Sequence, residues 1–381
     1  MEIYLDNAAT TKPRQEVIEA MTPYFTEKWH NPSSLYSVST NIKRDIENAR
    51  RVVGTFINAN SDEIFFTSSG SEGNCWAIQG LVNQCVANGG TPSVVTSVIE
   101  HKSVLDCVEN LNNVDVHFIG VNESGYINIR KLEDIVRKEI YSGKIVLVSI
   151  QFANNEIGTI QWIKEIAEMV HKYGAVFHTD AVQAFGNISI DVKELGIDMM
   201  TVSGHKIGTP KGIGFLYKKN NIKIKPLIYG SQMDSMRGGT ENVPYIIGMA
   251  KAVEILKREI ENNYIDTFNI RGYMFEKLCA LGCKFNGSMF NRLPNNISAT
   301  FPQNITGESL VYMLDTCDIY ISTGSACNSK SIEPSYVLKA IGLSDEDAMR
   351  TIRISLSSNN TKDQIDKVIC EIKKQIKLLE V

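Results

Sequence analysis

Short apolar runs alternate with stretches of helical periodicity through the first two-thirds of the chain. The runs fall at 64–67, 93–96, 117–120, 145–150, 175–178, 199–202 and 214–217, and each has the length of a buried strand. Between them, 132–140 and 163–173 place apolar residues on one helical face, and Gly174 follows the second as a C-terminal cap. Strands alternating with helices predict an α/β architecture with a mainly parallel seven-stranded sheet. From about residue 243 the pattern changes: a long charged helix at 250–263, strands around 296–301 and a final helix at 361–379. These predict a smaller α+β domain. The large domain is expected over 15–255, and the smaller over 1–14 together with 256–381.

Composition leaves this picture standing and narrows the ligand. The chain has 381 residues with 43% hydrophobic content, enough for one large core and a second, smaller one. A formal net charge of -4 gives no general attraction to nucleic acid or an anionic membrane, so a small molecule is the expected ligand. The first residues lack a charged region followed by an apolar one, and no stretch reaches the roughly 18 apolar residues of a membrane span. A cytoplasmic location is expected. The eight cysteines are scattered without a CxxC pair, which predicts mostly reduced thiols. Cys279 and Cys283, four apart in a helical segment, read as packing residues rather than a metal half-site.

Three segments carry candidate chemistry. Ser203-Gly204-His205-Lys206 follows an apolar strand; a lysine there loses hydration, which favours the neutral amine and a Schiff-base nucleophile over a plain surface-turn lysine. His178-Thr179-Asp180 ends another run. A carboxylate at a strand's carboxyl end caps a helix in most proteins, but it can also keep a pyridine nitrogen protonated. The segment 67–73, Thr-Ser-Ser-Gly-Ser-Glu-Gly, is a small turn directly after a strand. It is either a structural cap or a phosphate cradle of backbone N–H groups, and it is not a Walker A loop.

Together with YLDNAATT from Tyr4, NPSS from Asn31, EHKSVL from Glu100, NNEIG from Asn154, HTDAVQ from His178, RGGT from Arg237, GSAC from Gly324 and TIRISL from Thr351, these segments identify a family. The chain resembles the NifS/IscS-type cysteine desulfurases of the aspartate-aminotransferase-like class, pyridoxal 5'-phosphate (PLP) fold type I. The resemblance implies that Lys206 carries PLP as a Schiff base, Asp180 pairs with the pyridinium nitrogen, and His101 stacks on the ring with its nitrogens available for proton transfer. It implies that Gln183 and Asn155 bond the ring oxygen or the substrate carboxylate. Gly70, Ser71, Ser203 and His205 are the implied phosphate ligands, with Thr240 reaching the neighbouring subunit's phosphate in a homodimer. Arg353 is implied to bind the substrate α-carboxylate, for which a planar bidentate guanidinium is suited, and Asn31 and Asn155 also lie on the substrate side. Cys327 is the implied nucleophile. Its neighbours are Ser, Thr, Gly and Asn, which argues against the buried structural cysteine that is otherwise usual.

The implied activity is sulfur removal from L-cysteine, leaving alanine and a persulfide on Cys327 for an acceptor such as an iron-sulfur scaffold or a tRNA thiolation protein. A selenocysteine lyase or another PLP reaction on the same fold, or a weakly active sulfur-transfer partner protein, is the alternative. The sequence departs from the family at His30 and Tyr36 around NPSS, at Gly208-Thr209 where Tyr-Gly is common, and at Ser71 where Thr is usual. Ser71 keeps the hydroxyl. The others bear on pocket shape and rate.

Overall fold

In the computed structural model, which describes residues 2–302, 305–324 and 333–379, the apolar runs become strands. In chain order these are β1 (Ile3–Tyr4), β2 (Ile64–Thr67), β3 (Pro92–Ser97), β4 (Asp115–Ile119), β5 (Ile145–Ser149), β6 (Val176–Asp180), β7 (Met199–Ser203), β8 (Gly214–Lys218), β9 (Lys284–Phe285), β10 (Asn296–Thr300), β11 (Ile319–Tyr320) and β12 (Thr351–Ser355). The large sheet has the order β2-β8-β7-β6-β5-β3-β4. From β7 to β4 its strands are parallel, whereas β8 runs antiparallel to both β7 and β2. Two reversals bring β2 back to the direction of β7. Thr67 and Ser203 therefore both pair with Gly214, and the turns after β2 and β7 open at the same edge of the sheet.

Apart from the edge strand β4, where Asp115 and Phe118 are exposed, the strands of the large sheet are mostly apolar because helices cover both faces. Odd and even positions separate as the pleat requires. Val148, Phe177, Val202 and Phe215 meet the Ser37–Phe56 helix and the first part of the Val243–Cys279 helix through Ile42, Val53, Ile246 and Val253. Val94, Leu147, Met199 and Leu216 meet the Gly70–Ala87 and Lys102–Glu109 helices through Trp76, Leu81 and Val104. Gly174 takes φ +76° and its N–H reaches the His171 carbonyl at 2.9 Å, so it ends the preceding helix as its residue type suggests.

A second core lies around the three-stranded antiparallel sheet β12-β10-β9 and the parallel pair β1-β11. Ile3 and Leu5 from the amino terminus pack there with Leu310, Ile352, Ile354, Ile369 and Ile372. The helix expected at 250–263 is longer, 37 residues from Val243 to Cys279, roughly 55 Å. The expected stretch covered only the part that leaves the large core and the charged turns beyond it: buried residues up to Leu256 join the large core, and Met274 and Leu278 join the small one. No helix among the described residues is long and apolar enough to cross a membrane.

Candidate active site

At the edge where β2, β5, β6 and β7 end, a cavity of about 470 Å³ gathers Ser68 to Ser71, Asn74, His101, Asn155, Asp180, Gln183, Ser203, His205, Lys206, Gly324 and Arg353. A larger cavity, about 820 Å³, opens behind the amino-terminal segment. Lys206 and Gln183 line both, but among the described residues only the smaller one collects Asp180, His101 and Arg353.

Asp180 ends β6 and is 7% exposed. Its Oδ1 accepts the Val182 N–H at 2.9 Å, and its Oδ2 accepts the Asn74 amide at 2.7 Å. Asn74 gives a second N–H to Ser103 Oγ at 2.9 Å, which spends both amide hydrogens and leaves its own Oδ1 without a partner. Ser103 then turns to His101: its backbone N–H donates to Nδ1 at 3.1 Å, and its hydroxyl lies 2.8 Å from the same nitrogen. Nδ1 is therefore an acceptor, and in the neutral ring the proton resides on Nε2. One polar chain, Asp180–Asn74–Ser103–His101, thus fixes the carboxylate and the imidazole relative to each other.

The turn after β2 opens the 18-residue helix Gly70–Ala87, so unpaired N–H groups and the positive helix end face the cavity. Ser69 caps it, accepting the Glu72 N–H at 3.2 Å. A Cβ on Gly70 would fall 2.9 Å from Val182 Cγ2, so the turn can approach β6 and β7 this closely only as glycine. Burial alone would raise the Glu72 carboxyl, but the Arg237 guanidinium and the Ser68 N–H outweigh it and hold it low. That ion pair, 2.9 Å from Arg237 Nε, ties the RGGT segment to the turn. His205 is pushed down to about 4 by burial and then by the nearby charges of Lys206 and Lys211; it stays neutral, with Nδ1 3.1 Å from Thr10 Oγ1.

The amino-terminal segment crosses the mouth of the cavity. Lys206 Nζ donates to the Ala8 and Ala9 carbonyls at 2.5 and 2.6 Å, and Gln183 Nε2 reaches the Ala8 carbonyl at 3.0 Å. Arg353, on β12, donates from Nη2 to Asp6 Oδ1 at 2.7 Å and from Nη1 to the Asn155 carbonyl at 3.4 Å, while its buried Nε has no partner. Glu156 is buried, and its carboxyl is raised by that burial against the opposing Ser335 hydroxyl and the Arg353 and His101 charges. Ser335 Oγ donates to it at 2.5 Å, and a Cβ at Gly324 would fall 3.0 Å from the same oxygen.

Two expected site residues lie elsewhere. Asn31 is exposed, does not line the cavity and caps its own turn, accepting the Ser33 N–H at 2.9 Å. Thr240, expected at the neighbouring subunit's phosphate rather than this chain's, is exposed and outside this lining. Cys327 lies outside the described residues. Of the departures from the family pattern, Tyr36 and Gly208 do not line the smaller cavity within this chain. Gly208 has φ +86°, and a Cβ there would fall 2.7 Å from Arg14 Cγ. Sequence reasoning assigned no role to Asn74, Ser103, Asp6 or Glu156. All four stand beside quoted motifs or within them, but nothing local indicates which partner each would meet.

The donor set suits a flat, basic heteroaromatic phosphate. Hydroxyls, a close-approach glycine and a helix amino end, a buried carboxylate with one partner per oxygen, and an amine all line the one cavity. The class-V aminotransferase family model matches residues 3–368. Cysteine desulfurase IscS of Methanosarcina thermophila is 43% identical over 371 residues, 96% of this chain and 90% of that protein. A solved NifS-like protein superposes with a TM-score of 0.90 at 32% identity, covering both chains fully. A structure described as SspA in complex with cysteine matches with a TM-score of 0.81 at 34% identity, over 95% of this chain and 100% of that one.

Proposed function

Since this chain belongs to the class-V aminotransferase family and is homologous to the NifS/IscS cysteine desulfurases, we propose that it removes sulfur from L-cysteine, releases L-alanine and keeps the sulfur as a persulfide on Cys327. The observation that carries this reading is the convergence of Lys206, Asp180, His101 and Arg353 on one cavity. The relative solved with cysteine supports the choice of substrate.

In this reading Gly70, Ser71, Ser203 and His205 hold the phosphate of PLP, and Asp180 keeps its ring nitrogen protonated. When bound, PLP supplies an electron sink for the pair left at the substrate Cα. Arg353 receives the substrate α-carboxylate, with its Nη2 already oriented by Asp6, and Asn155 and Gln183 flank it. The Lys206 amine takes the Cα proton, and His101 Nε2 is placed to move protons at the substrate. The Cys327 thiolate attacks the substrate sulfur: the S–S bond forms, the Cβ–S bond breaks, and the departing electron pair stays with the three-carbon fragment, which gains a proton at Cβ and regains one at Cα to become alanine. An iron-sulfur scaffold or a tRNA thiolation protein in the cytoplasm then accepts the sulfur.

Replacement of Cys327 separates this reaction from other PLP chemistry. Cys327→Ser should still exchange the Cα hydrogen of L-cysteine with deuterated water, because the groups that bind substrate and move that proton are intact. Alanine formation should fall roughly a thousandfold, equivalent to ~4 kcal/mol in the sulfur-abstracting step. Alanine release at the wild-type rate would instead favour a lyase.

The exposed Thr240, on a segment anchored to Glu72 through Arg237, fits a homodimer in which it completes the partner subunit's phosphate site. Mixing Thr240→Ala with Lys206→Ala chains should restore activity, since the hybrid has one site with both residues present. A fully active monomer in sedimentation would refute the arrangement.

A further inference from the structure

The Gly70–Ala87 and Lys102–Glu109 helices, which bring Asn74 and Ser103 to the cavity, carry a cysteine each just behind it. Cys75 and Gln79 are one turn apart on the first helix, and Ser103 and Cys107 one turn apart on the second. Cys75 Sγ lies 3.8 Å from the Ser103 carbonyl, and Gln79 Nε2 lies 3.8 Å from Cys107 Sγ. Two such contacts, a turn apart on both helices, set the two thiols beside each other. Cys75 is half-buried and Cys107 buried, so a water-sized reagent has better access than a bulky one.

We propose that Cys75 and Cys107 are a reversible dithiol–disulfide site, oxidised by hydrogen peroxide, whose closure loosens the cofactor's hold through Asn74 and Ser103. Hydrogen bonding to Cys107 lowers the Cys75 thiol to about 7, while the same contact, with burial, drives Cys107 up. Cys75 is therefore the attacking thiolate. Its sulfur takes one oxygen from peroxide as the O–O bond breaks, giving a sulfenic acid and, after proton transfer, water. The Cys107 sulfur then attacks Cys75; the S–S bond forms, the S–O bond breaks, and the hydroxyl leaves with the Cys107 proton as a second water. Two thiols are oxidised and one peroxide is reduced to two waters.

Asn74 adjoins Cys75, and Ser103 is one turn from Cys107, so a new bond between the sulfurs pulls on both members of the bridge to Asp180 and His101. Losing the Asn74–Asp180 contact, a hydrogen bond to a charged group, corresponds to about a tenfold faster release of bound PLP.

The test treats the PLP-loaded protein with hydrogen peroxide, alkylates the remaining thiols and maps the peptides by mass, with the rate of PLP release read in parallel. A peptide joining Cys75 to Cys107, absent after dithiothreitol and absent in Cys75→Ala, together with a reversible acceleration of PLP release, is the expected result. If both cysteines remain alkylatable after peroxide, or if the oxidised Cys75 pairs with a different cysteine, the site is refuted. A Cys75–Cys107 bond with unchanged PLP release refutes the coupling to the cofactor. The peptide map does not depend on desulfurase activity, so its outcome is separate from the assignment of the reaction.

Discussion

The two sides of the cavity are built differently. The sheet-edge side comes from segments that follow β2, β3, β6 and β7, and most of its polar groups find partners on that same side: Asp180 with Val182 and Asn74, His101 with Ser103, Glu72 with Ser68 and Arg237. The mouth side comes from the two ends of the chain. Arg353 leans on Asp6, 347 residues away, and Lys206 on Ala8 and Ala9. Ser335 reaches Glu156, and Asn296 reaches the Glu156 carbonyl. The first side inherits the rigidity of a sheet buried on both faces. The second is held by a handful of polar contacts between the two cores, so under the proposed function a substitution at Asp6 or Arg353 should change how a substrate is gripped more than where a cofactor would sit.

The harshest way to break this comparison is to remove Lys206, a side chain shared by both sides. Lys206→Ala should lower alanine formation by roughly 10⁴-fold or more, since a nucleophile and a proton-transfer group are lost together. Borohydride reduction followed by denaturation should leave PLP attached to the wild-type chain and not to the variant. Attachment at a different lysine would move the reaction centre elsewhere.

Asp6→Asn acts on the mouth alone. Arg353 is 5% exposed, and its ion pair with Asp6 is the contact that aims Nη2. Asparagine keeps an acceptor oxygen but drops the charge, so the guanidinium stays in place with less restraint. The KM for L-cysteine should rise about thirtyfold, with kcat changed only a few-fold. Steady-state kinetics would count against the two-sided account if kcat collapsed while KM held.

The same division explains what could be read from the sequence. Asp180, Lys206 and the turn at 67–73 were legible because each stands where an apolar run stops, and a parallel sheet puts the carboxyl ends of such runs at one edge. All seven strands of the large sheet fell within or overlapped the expected runs, the inner ones because a sheet covered on both faces needs little beyond apolar residues. The antiparallel placement of β8 was not, because an apolar run does not reveal its direction. The long helix was recognised only over its charged middle; its ends are apolar because they enter two different cores, and a single period cannot announce that. Asn74 resembles any polar residue on a helix, and Asp6 any strand-end carboxylate, until the fold supplies partners 106 and 347 residues away.

The mildest perturbation falls on the sheet-edge side. Asn74→Ala removes both N–H donors of the bridge between Asp180 and Ser103. Asp180 Oδ1 keeps the Val182 N–H, so the carboxylate remains anchored and loses only its orientation toward one side. Ser103 keeps its own N–H on His101 Nδ1, so the ring also stays close to its place. The deletion of a hydrogen bond to a charged group should weaken PLP binding about tenfold. Because Arg353 and Asp6 are untouched, the KM for L-cysteine at saturating PLP should stay near its wild-type value while kcat falls by a similar factor. Ser103→Ala, which leaves the Asn74–Asp180 contact standing, should weaken PLP binding less. Equilibrium titration of the two apoproteins with PLP orders them: if Ser103→Ala weakens binding as much as Asn74→Ala, the bridge acts through the imidazole rather than through the carboxylate, and the sheet-edge side is less locally secured than its contacts suggest.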